Sequence, residues 1–504
     1  MNRFSSLACW LVVSTLPASV ALATTGVDCE SLVSLTLPDV VVTEASVVEE
    51  PARHCKVVGT VGGVIGFSLW LPEEWNGRFL MGGSGGFVAP ENNQALRWDS
   101  DLLETGYATA STDTGHRAGT FDGSWALNDL EAIVNFGHLA THRAAVTSKA
   151  IMAARYGQPA TKSFFFGCSN GGRQALQAAQ RYPDDFDAVI AGAPALDFTG
   201  GVSSLLQIAS RMHPDPRDLD TPVVSLPDRQ RLRAAIEAQC DGLDGVEDGI
   251  LQDPIACDFD PASLACSTDE AETCLDAEEI QAIQTVYQGP TAGAQALHVG
   301  FPFGAEAMDI NGWGSWLTGD NADGSPSWTE SLGLGPSAAF AFGMGVMRYF
   351  VHHDSDWSYV GYDWTRYEDD TRVLAATLNA EDPDLSAFRE RGGKLLMYHG
   401  WSDVALSAHM SIDYVERVYE LDPTAREDVR LFMMPGVLHC NGGPGPSQVD
   451  FVAALEAWHR SDEAPAELTA TYPDKPGERK LCAWPQQAQY QNGNPDTFAA
   501  WVCQ

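Results

Sequence analysis

The 504-residue chain predicts an α/β fold: a largely parallel sheet flanked by helices, with a long insertion between two of its strands. Three observations lead there. Strand and helix patterns alternate over residues 60–195 and again over 391–465. Over residues 196–390 that alternation is lost, and Gly, Asp, Trp and two pairs of cysteines dominate. Within the first block an apolar run, Ser163 to Phe166, enters Gly167-Cys168-Ser169-Asn170-Gly171 and passes at once into a helical pattern. G-x-S-x-G between a strand and a helix lifts a serine hydroxyl out of a tight turn at the top of a parallel sheet. The glycines suit a turn with no room for a Cβ, and the plain alternative is an ordinary glycine-rich turn.

The elements follow in order. Residues 1–23 read as a secretory signal: Arg3, an apolar Leu7 to Val13, and Ala21-Leu22-Ala23 as a cleavage site. The run is too short and too interrupted for a membrane anchor. Short strands with proline punctuation occupy 24–60, and residues 64–72 alternate as a strand. Asn76-Gly77 marks a turn, Arg78 to Met81 a strand, and Gly82 to Phe87 a glycine-rich loop. Tyr107 to His116 is a strand with a polar end, and 133–156 a helix. His138 and His142 sit one turn apart on it, but with no third ligand evident they read as a packed or solvated face. Asp187 to Pro194 is a buried strand, Gly392 to Gly400 restores the pattern after the insertion, and Val429 to Met434 is the last strand. Val449 to Arg460 is a closing amphipathic helix.

Composition bounds the function. The chain is 44% hydrophobic and globular in type, with no further span long enough for a membrane. Acidic residues outnumber basic ones 68 to 30, which disfavours nucleic acid and anionic membrane surfaces as partners. Of eleven cysteines, Cys9 lies in the signal, which leaves ten for an exported protein and so a disulfide framework. Proximity pairs Cys240–Cys257, Cys266–Cys274 and Cys482–Cys503, and Cys29–Cys55 ties the N-terminal arm. Cys168 and Cys440 remain, far apart in sequence.

Ser169, Asp403 and His439 each follow an expected strand, so all three belong at one edge of the sheet. Ser, Asp, His is the chain order of α/β-hydrolases. A serine hydroxyl needs a base; His439 takes its proton and returns it to the leaving alcohol, and Asp403 holds the imidazole tautomer. The tetrahedral oxyanion needs two N–H donors, for which Asn170 and Gly85 are the candidates. Alone, such an Asp is often a helix cap and such a His a surface residue; the joint order singles them out. With Ser169 and His439 in reach of each other, their neighbours Cys168 and Cys440 are close enough to bridge. The alternative, a reactive Cys168, leaves an odd cysteine in an oxidising compartment.

G-C-S-N-G-G-R around Ser169 and V-L-H-C around His439 resemble the tannase/feruloyl esterase family, which includes mono(hydroxyethyl) terephthalate hydrolase. The resemblance runs over nearly the whole mature chain. It implies an α/β-hydrolase core at 24–195 and 391–504, an inserted lid domain at 196–390, and hydrolysis of esters of aromatic acids. The acidic loop Cys240 to Ile250 places carboxylates among glycines at spacings of three and four, which suits a hard cation but fails the EF-hand pattern. The resemblance implies a structural Ca2+ held by the carboxylates of Asp241, Asp244 and Asp248 and the carbonyls of Val246 and Ile250.

Eleven aromatic residues from Trp313 to Trp364 suit a flat apolar acyl group, most of them as lid core. Arg348, the first Lys or Arg after Arg233, is a candidate for a substrate carboxylate or an ion pair with a nearby Asp. The reading is a secreted or periplasmic serine carboxylesterase acting on a small-molecule aromatic ester, feruloyl-type first, with galloyl and terephthalate monoesters as alternatives. An acyltransferase or peptidase on the same triad, and a calcium-dependent secreted binding protein, are the competing classes. Oligomeric state is not readable.

Overall fold

The computed structural model describes residues 26–87, 93–267, 273–321 and 327–504. The signal expected at 1–23 lies outside them. A nine-stranded sheet organises the molecule: β1 (Val40–Val48), β2 (His54–Val61), β3 (Ile65–Pro72), β4 (Arg78–Gly82), β5 (Ala108–Thr112), β6 (Lys162–Cys168), β7 (Ala188–Gly192), and, after the two-residue strands β8 (Thr291–Ala292) and β9 (Gln295–Ala296) of a separate small hairpin, β10 (Lys394–Gly400) and β11 (Val429–Met434). Their order across the sheet is β1-β2-β3-β5-β4-β6-β7-β10-β11.

β1, β2 and β3 form an antiparallel meander, and β3 pairs antiparallel with β5. From β5 to β11 every pair is parallel. Burial tracks this difference. β3 alternates buried and half-buried residues, while β7 and β10 are buried throughout and β6 from its second residue on. A parallel sheet covered by helices on both faces requires such continuous apolar runs. Successive residues still face opposite sides: Phe165, Val189 and Met397 join one core, while Phe164, Ile190 and Tyr398 join another. Leu, Ile, Val and Phe side chains on both faces thus hold the strand ends rigid.

Between β7 and β10 no described residue adds a strand to this sheet. It builds helices, including Phe198–Met212, Leu226–Cys240, Ala277–Gln288 and Tyr367–Leu378, around a third apolar core. That core also takes in Phe87, Ile133 and Phe136 from the sheet-bearing part, so the insertion is packed onto the core rather than tethered to it. The tail forms two small hairpins, Glu467–Thr471 with Glu478–Cys482 and Ala488–Tyr490 with Trp501–Cys503. Five disulfides join Cys29–Cys55, Cys168–Cys440, Cys240–Cys257, Cys266–Cys274 and Cys482–Cys503. Among the described residues no helix is long and apolar enough to cross a membrane.

Candidate active site

Loops leaving the carboxyl ends of β4, β6, β10 and β11 meet on one edge of the sheet. β6 runs into Ser169, which sits at φ +65° and ψ −128° as the cap of the helix Asn170–Arg181. Positive φ is strained for a serine and is held here by its surroundings. Its N–H donates to the Gly192 carbonyl at 3.0 Å, and its own carbonyl accepts from the N–H groups of Arg173 and Ala195. The turn closes because backbones touch: a Cβ on Gly167 would lie 2.4 Å from the Gly171 carbonyl, and one on Gly83 would lie 2.8 Å from the Gly171 Cα. The glycine loop after β4 is thereby pressed against the serine turn.

Two sets of N–H groups remain open beside Ser169. Asn170 is the first helical residue, so its N–H has no acceptor within the helix. In the loop, the N–H of Gly83 donates to Phe166 O, that of Ser84 to Gln174 Oε1 and that of Phe87 to Thr120 O. The N–H groups of Gly85 and Gly86 have no partner among the described residues. Gly86 lines the cavity above Ser169, and Gly85 faces open space.

Asp403 follows β10 and is fully buried. Its Oδ1 accepts from the N–H groups of Ala405 at 2.8 Å and Leu406 at 3.0 Å. Its Oδ2 accepts from His439 Nδ1 at 2.7 Å. Burial by itself would raise the Asp403 pKa; the His439 charge and the hydrogen bonds from His399 and His439 outweigh it and hold the carboxyl well below the usual range. With the proton of His439 on Nδ1, its Nε2 is left as a base. The two loops are locked together: a Cβ on Gly400 would meet the Val437 carbonyl at 2.2 Å. Cys168 and Cys440, whose Cα atoms are 6.0 Å apart, join the residues before Ser169 and after His439. Cys168 is thus not a free thiol.

Ser169 and His439 line one cavity with Phe87, Phe198, Trp316 and Phe342. Its volume is about 50 Å3. Trp316 stands edge-on to the His439 ring at 5.7 Å and lies flat against Phe342 at 5.8 Å. Walls of this kind favour a flat apolar group.

Other candidates lie elsewhere. Arg348 lines a separate cavity of about 360 Å3 with Phe121, Tyr349 and Tyr359. Its Nε donates to the Trp357 carbonyl at 3.0 Å, and it forms no ion pair among the described residues. The ring of Phe121, from that cavity, packs against Phe342, from the Ser169 cavity, at 4.9 Å. His138 and His142 are spoken for: their Nδ1 atoms bond Tyr182 Oη at 2.7 Å and Asp185 Oδ2 at 2.8 Å.

The acidic loop fits a hard cation in three respects. Asp244 Oδ2 is buried and unpartnered, while Oδ1 accepts from the Val246 N–H. The Val246 and Ile250 carbonyls accept no hydrogen bond among the described residues. Burial pushes the Asp244 pKa up to about 6, with the Asp248 and Asp241 charges adding to it. Asp241 accepts from the Gly249 N–H, and Asp248 pairs with Arg479 of the tail. No three His, Cys, Asp or Glu side chains among the described residues form a metal-binding group by themselves.

Several residues at the site carried no sequence signal of their own. His399 Nε2 lies 3.3 Å from Asp403 Oδ2 and 3.0 Å from the Leu406 carbonyl. Arg173, Gln174 and the Asn170 side chain tie the serine turn to the glycine loop. The one available hint for Arg173 was its place at the end of G-C-S-N-G-G-R.

A family model described as tannase and feruloyl esterase matches residues 47–503. The mono(2-hydroxyethyl) terephthalate hydrolase of Piscinibacter sakaiensis is 32% identical over 514 residues, covering 90% of this chain and 85% of that protein. A probable feruloyl esterase of Arthroderma benhamiae is 31% identical, covering 86% of this chain and 82% of its own length. Among solved structures, feruloyl esterase B from Aspergillus oryzae has a TM-score of 0.82 at 25% identity, over 94% of this chain and 99% of that one.

Proposed function

The chain belongs to the tannase and feruloyl esterase family, and from that premise we propose that it is an exported serine carboxylesterase acting on esters of aromatic, hydroxycinnamic-type acids. The observation that carries this reading is the Asp403–His439 pair, at 2.7 Å, beside a cavity that also holds Ser169 on its positive-φ turn. Ser169 Oγ attacks the ester carbonyl as His439 Nε2 takes its proton. The N–H groups of Asn170 and Gly85 hold the oxyanion. His439 returns the proton to the leaving alcohol, and water, activated by the same imidazole, releases the aromatic acid.

Phe87, Phe198, Trp316 and Phe342 supply the surface for the acyl ring, and the segment 196–390 acts as the lid that carries three of them. A cavity of about 50 Å3 is smaller than the roughly 150 Å3 that takes up a benzene ring, so the lid side chains move on binding. Asp241, Asp244, Asp248 and the carbonyls of Val246 and Ile250 would hold a hard cation, Ca2+, which would neutralise the carboxylates and stiffen the lid. The five disulfides support export to an oxidising compartment.

A second reading, a terephthalate monoester as substrate, is favoured by Arg348, whose guanidinium has no carboxylate partner among the described residues. One panel tests both: methyl ferulate, methyl gallate and mono(2-hydroxyethyl) terephthalate, with the wild type and Ser169→Ala. The proposal expects the highest kcat/KM on methyl ferulate and none of the three hydrolysed by Ser169→Ala. A preference for the terephthalate ester that Arg348→Ala removes establishes the second reading instead.

A further inference from the structure

Arg173 is fully buried, one turn into the helix that begins behind Ser169. Among the described residues its guanidinium meets only neutral acceptors. Nε donates to Asn170 Oδ1 at 2.8 Å, Nη1 to the carbonyls of Gly137 at 2.7 Å and Leu378 at 3.1 Å, and Nη2 to that of Phe136 at 3.0 Å. It forms no ion pair with a carboxylate among the described residues. Burial, followed by the nearby Arg181, lowers its pKa to about 9, which leaves it charged at neutral pH. The rings of Phe136 and Phe198 cover it at 4.9 and 5.4 Å, and Phe198 also lines the cavity over Ser169. An isolated buried cation is costly, so one kept beside a reaction centre calls for an explanation.

The hydrogen bonds supply one. Because Arg173 occupies Asn170 Oδ1, the Asn170 amide is turned with Nδ2 outward, and Nδ2 donates to the Ser84 carbonyl at 3.3 Å. That carbonyl belongs to the peptide whose other end is the Gly85 N–H. Gln174, the neighbour of Arg173, fixes the preceding peptide by accepting from the Ser84 N–H at 3.1 Å. Guanidinium, side-chain amide and peptide are aligned head to tail, each polarising the next.

We infer that Arg173 is a positioning residue for the oxyanion hole: its buried, uncompensated charge is relayed through the Asn170 side chain to the Ser84–Gly85 peptide and strengthens the Gly85 N–H as a donor. This rests on the serine-esterase reading and adds a residue to it. The charge is of the sign that a developing oxyanion needs, in surroundings of low polarity, where it acts most strongly. The bonds to Gly137 and to Leu378 of the insertion anchor the guanidinium from two sides.

Four variants test it: Arg173→Met, Arg173→Lys, Asn170→Ala and Ser169→Ala. For each, kcat and KM on one ester are measured, with affinities for an arylboronic acid, which forms a tetrahedral adduct on a serine, and for the planar product acid. Arg173→Met and Asn170→Ala are expected to lower kcat about 100-fold while KM and product affinity stay within about threefold, and boronate affinity falls in parallel with kcat/KM. Arg173→Lys, which keeps the charge, recovers part of the loss. A purely structural role would lower boronate and product affinities together. That result, or a kcat within about threefold of wild type in both Arg173→Met and Asn170→Ala, overturns the relay. Should Arg173→Met not fold, Asn170→Ala decides alone, since it leaves the backbone donor in place. Hydrolysis retained by Ser169→Ala overturns the serine-esterase reading and the relay together; hydrolysis lost there but intact in the Asn170 and Arg173 variants overturns the relay only.

Discussion

His399 stands against the same oxygen of Asp403 that His439 uses: its Nε2 is 3.3 Å from Oδ2, and its Nδ1 is 2.8 Å from Ser411 Oγ. With Leu406 O also facing Nε2, the His399 proton belongs on Nε2, and the Ser411 hydroxyl donates to Nδ1. Asp403 thus accepts from two N–H groups on one oxygen and from His439 on the other, which His399 Nε2 also faces while sharing its proton with the Leu406 carbonyl.

Replacing Asp403 by Asn keeps the shape and removes the acceptor that sets the His439 tautomer. The expected loss in kcat is about 10⁴-fold with little change in the far-UV circular dichroism spectrum. Steady-state kinetics on a p-nitrophenyl ester measure it. A loss below about tenfold would place the orienting carboxylate elsewhere.

Acidification gives a second expectation. The folded pKa of Asp403 lies below its unfolded value of about 3.9, so its ionised form stabilises the fold above about pH 4. That contribution fades as the pH falls below this point toward the folded value. The stability gap between wild type and Asp403→Asn should therefore be largest near neutrality and shrink between about pH 4 and 3, as read by thermal unfolding. A gap independent of pH would mean that Asp403 is not the ionised group.

The disulfide behind the site has its own signature. Cys168–Cys440 closes a stretch of 272 residues and spans the residues next to Ser169 and His439. Changing both cysteines to Ala should cost about 2–5 kcal/mol by denaturant titration. It should also lower kcat by tenfold or more, because small misplacements of base and nucleophile are costly, on the order of 100-fold for 1 Å. Kinetics at wild-type level in the double variant would show that the sheet alone holds the two loops.

Removing a cation from the acidic loop should act on stability and not on chemistry. EGTA, or Asp244→Ala, is expected to lower the thermal midpoint by a few degrees, about 1 °C for each kcal/mol lost in a chain of this size, with kcat/KM of the folded enzyme unchanged. An unchanged midpoint in EGTA would remove Ca2+ from the account.

Much of this was legible in the sequence where structure is local. The parallel strands announced themselves as apolar runs; Ser169 follows such a run directly, and Asp403 and His439 sit in the short loops after two others. Other features depend on partners remote in the chain. Arg173 is satisfied by Gly137 and Leu378, and Asp248 by Arg479, 231 residues away; no periodicity encodes such pairs. The insertion hid its helices for another reason. Wide, π-type turns at Gly314–Thr318 and Val346–Val351 break the 3.6-residue repeat where Trp316 and Arg348 sit, so neither could be placed on a face from the sequence. The hairpin of Ala488–Tyr490 with Trp501–Cys503 has strands of three residues, too short to show alternation.

The most direct test of the central claim is where a serine-directed fluorophosphonate attaches, read by peptide mass mapping of the disulfide-intact protein. The account predicts one adduct, on the peptide bearing Ser169, absent in Ser169→Ala and slowed at least 100-fold in His439→Gln. An adduct on any other residue, or labelling of Ser169 at the wild-type rate in His439→Gln, would contradict it.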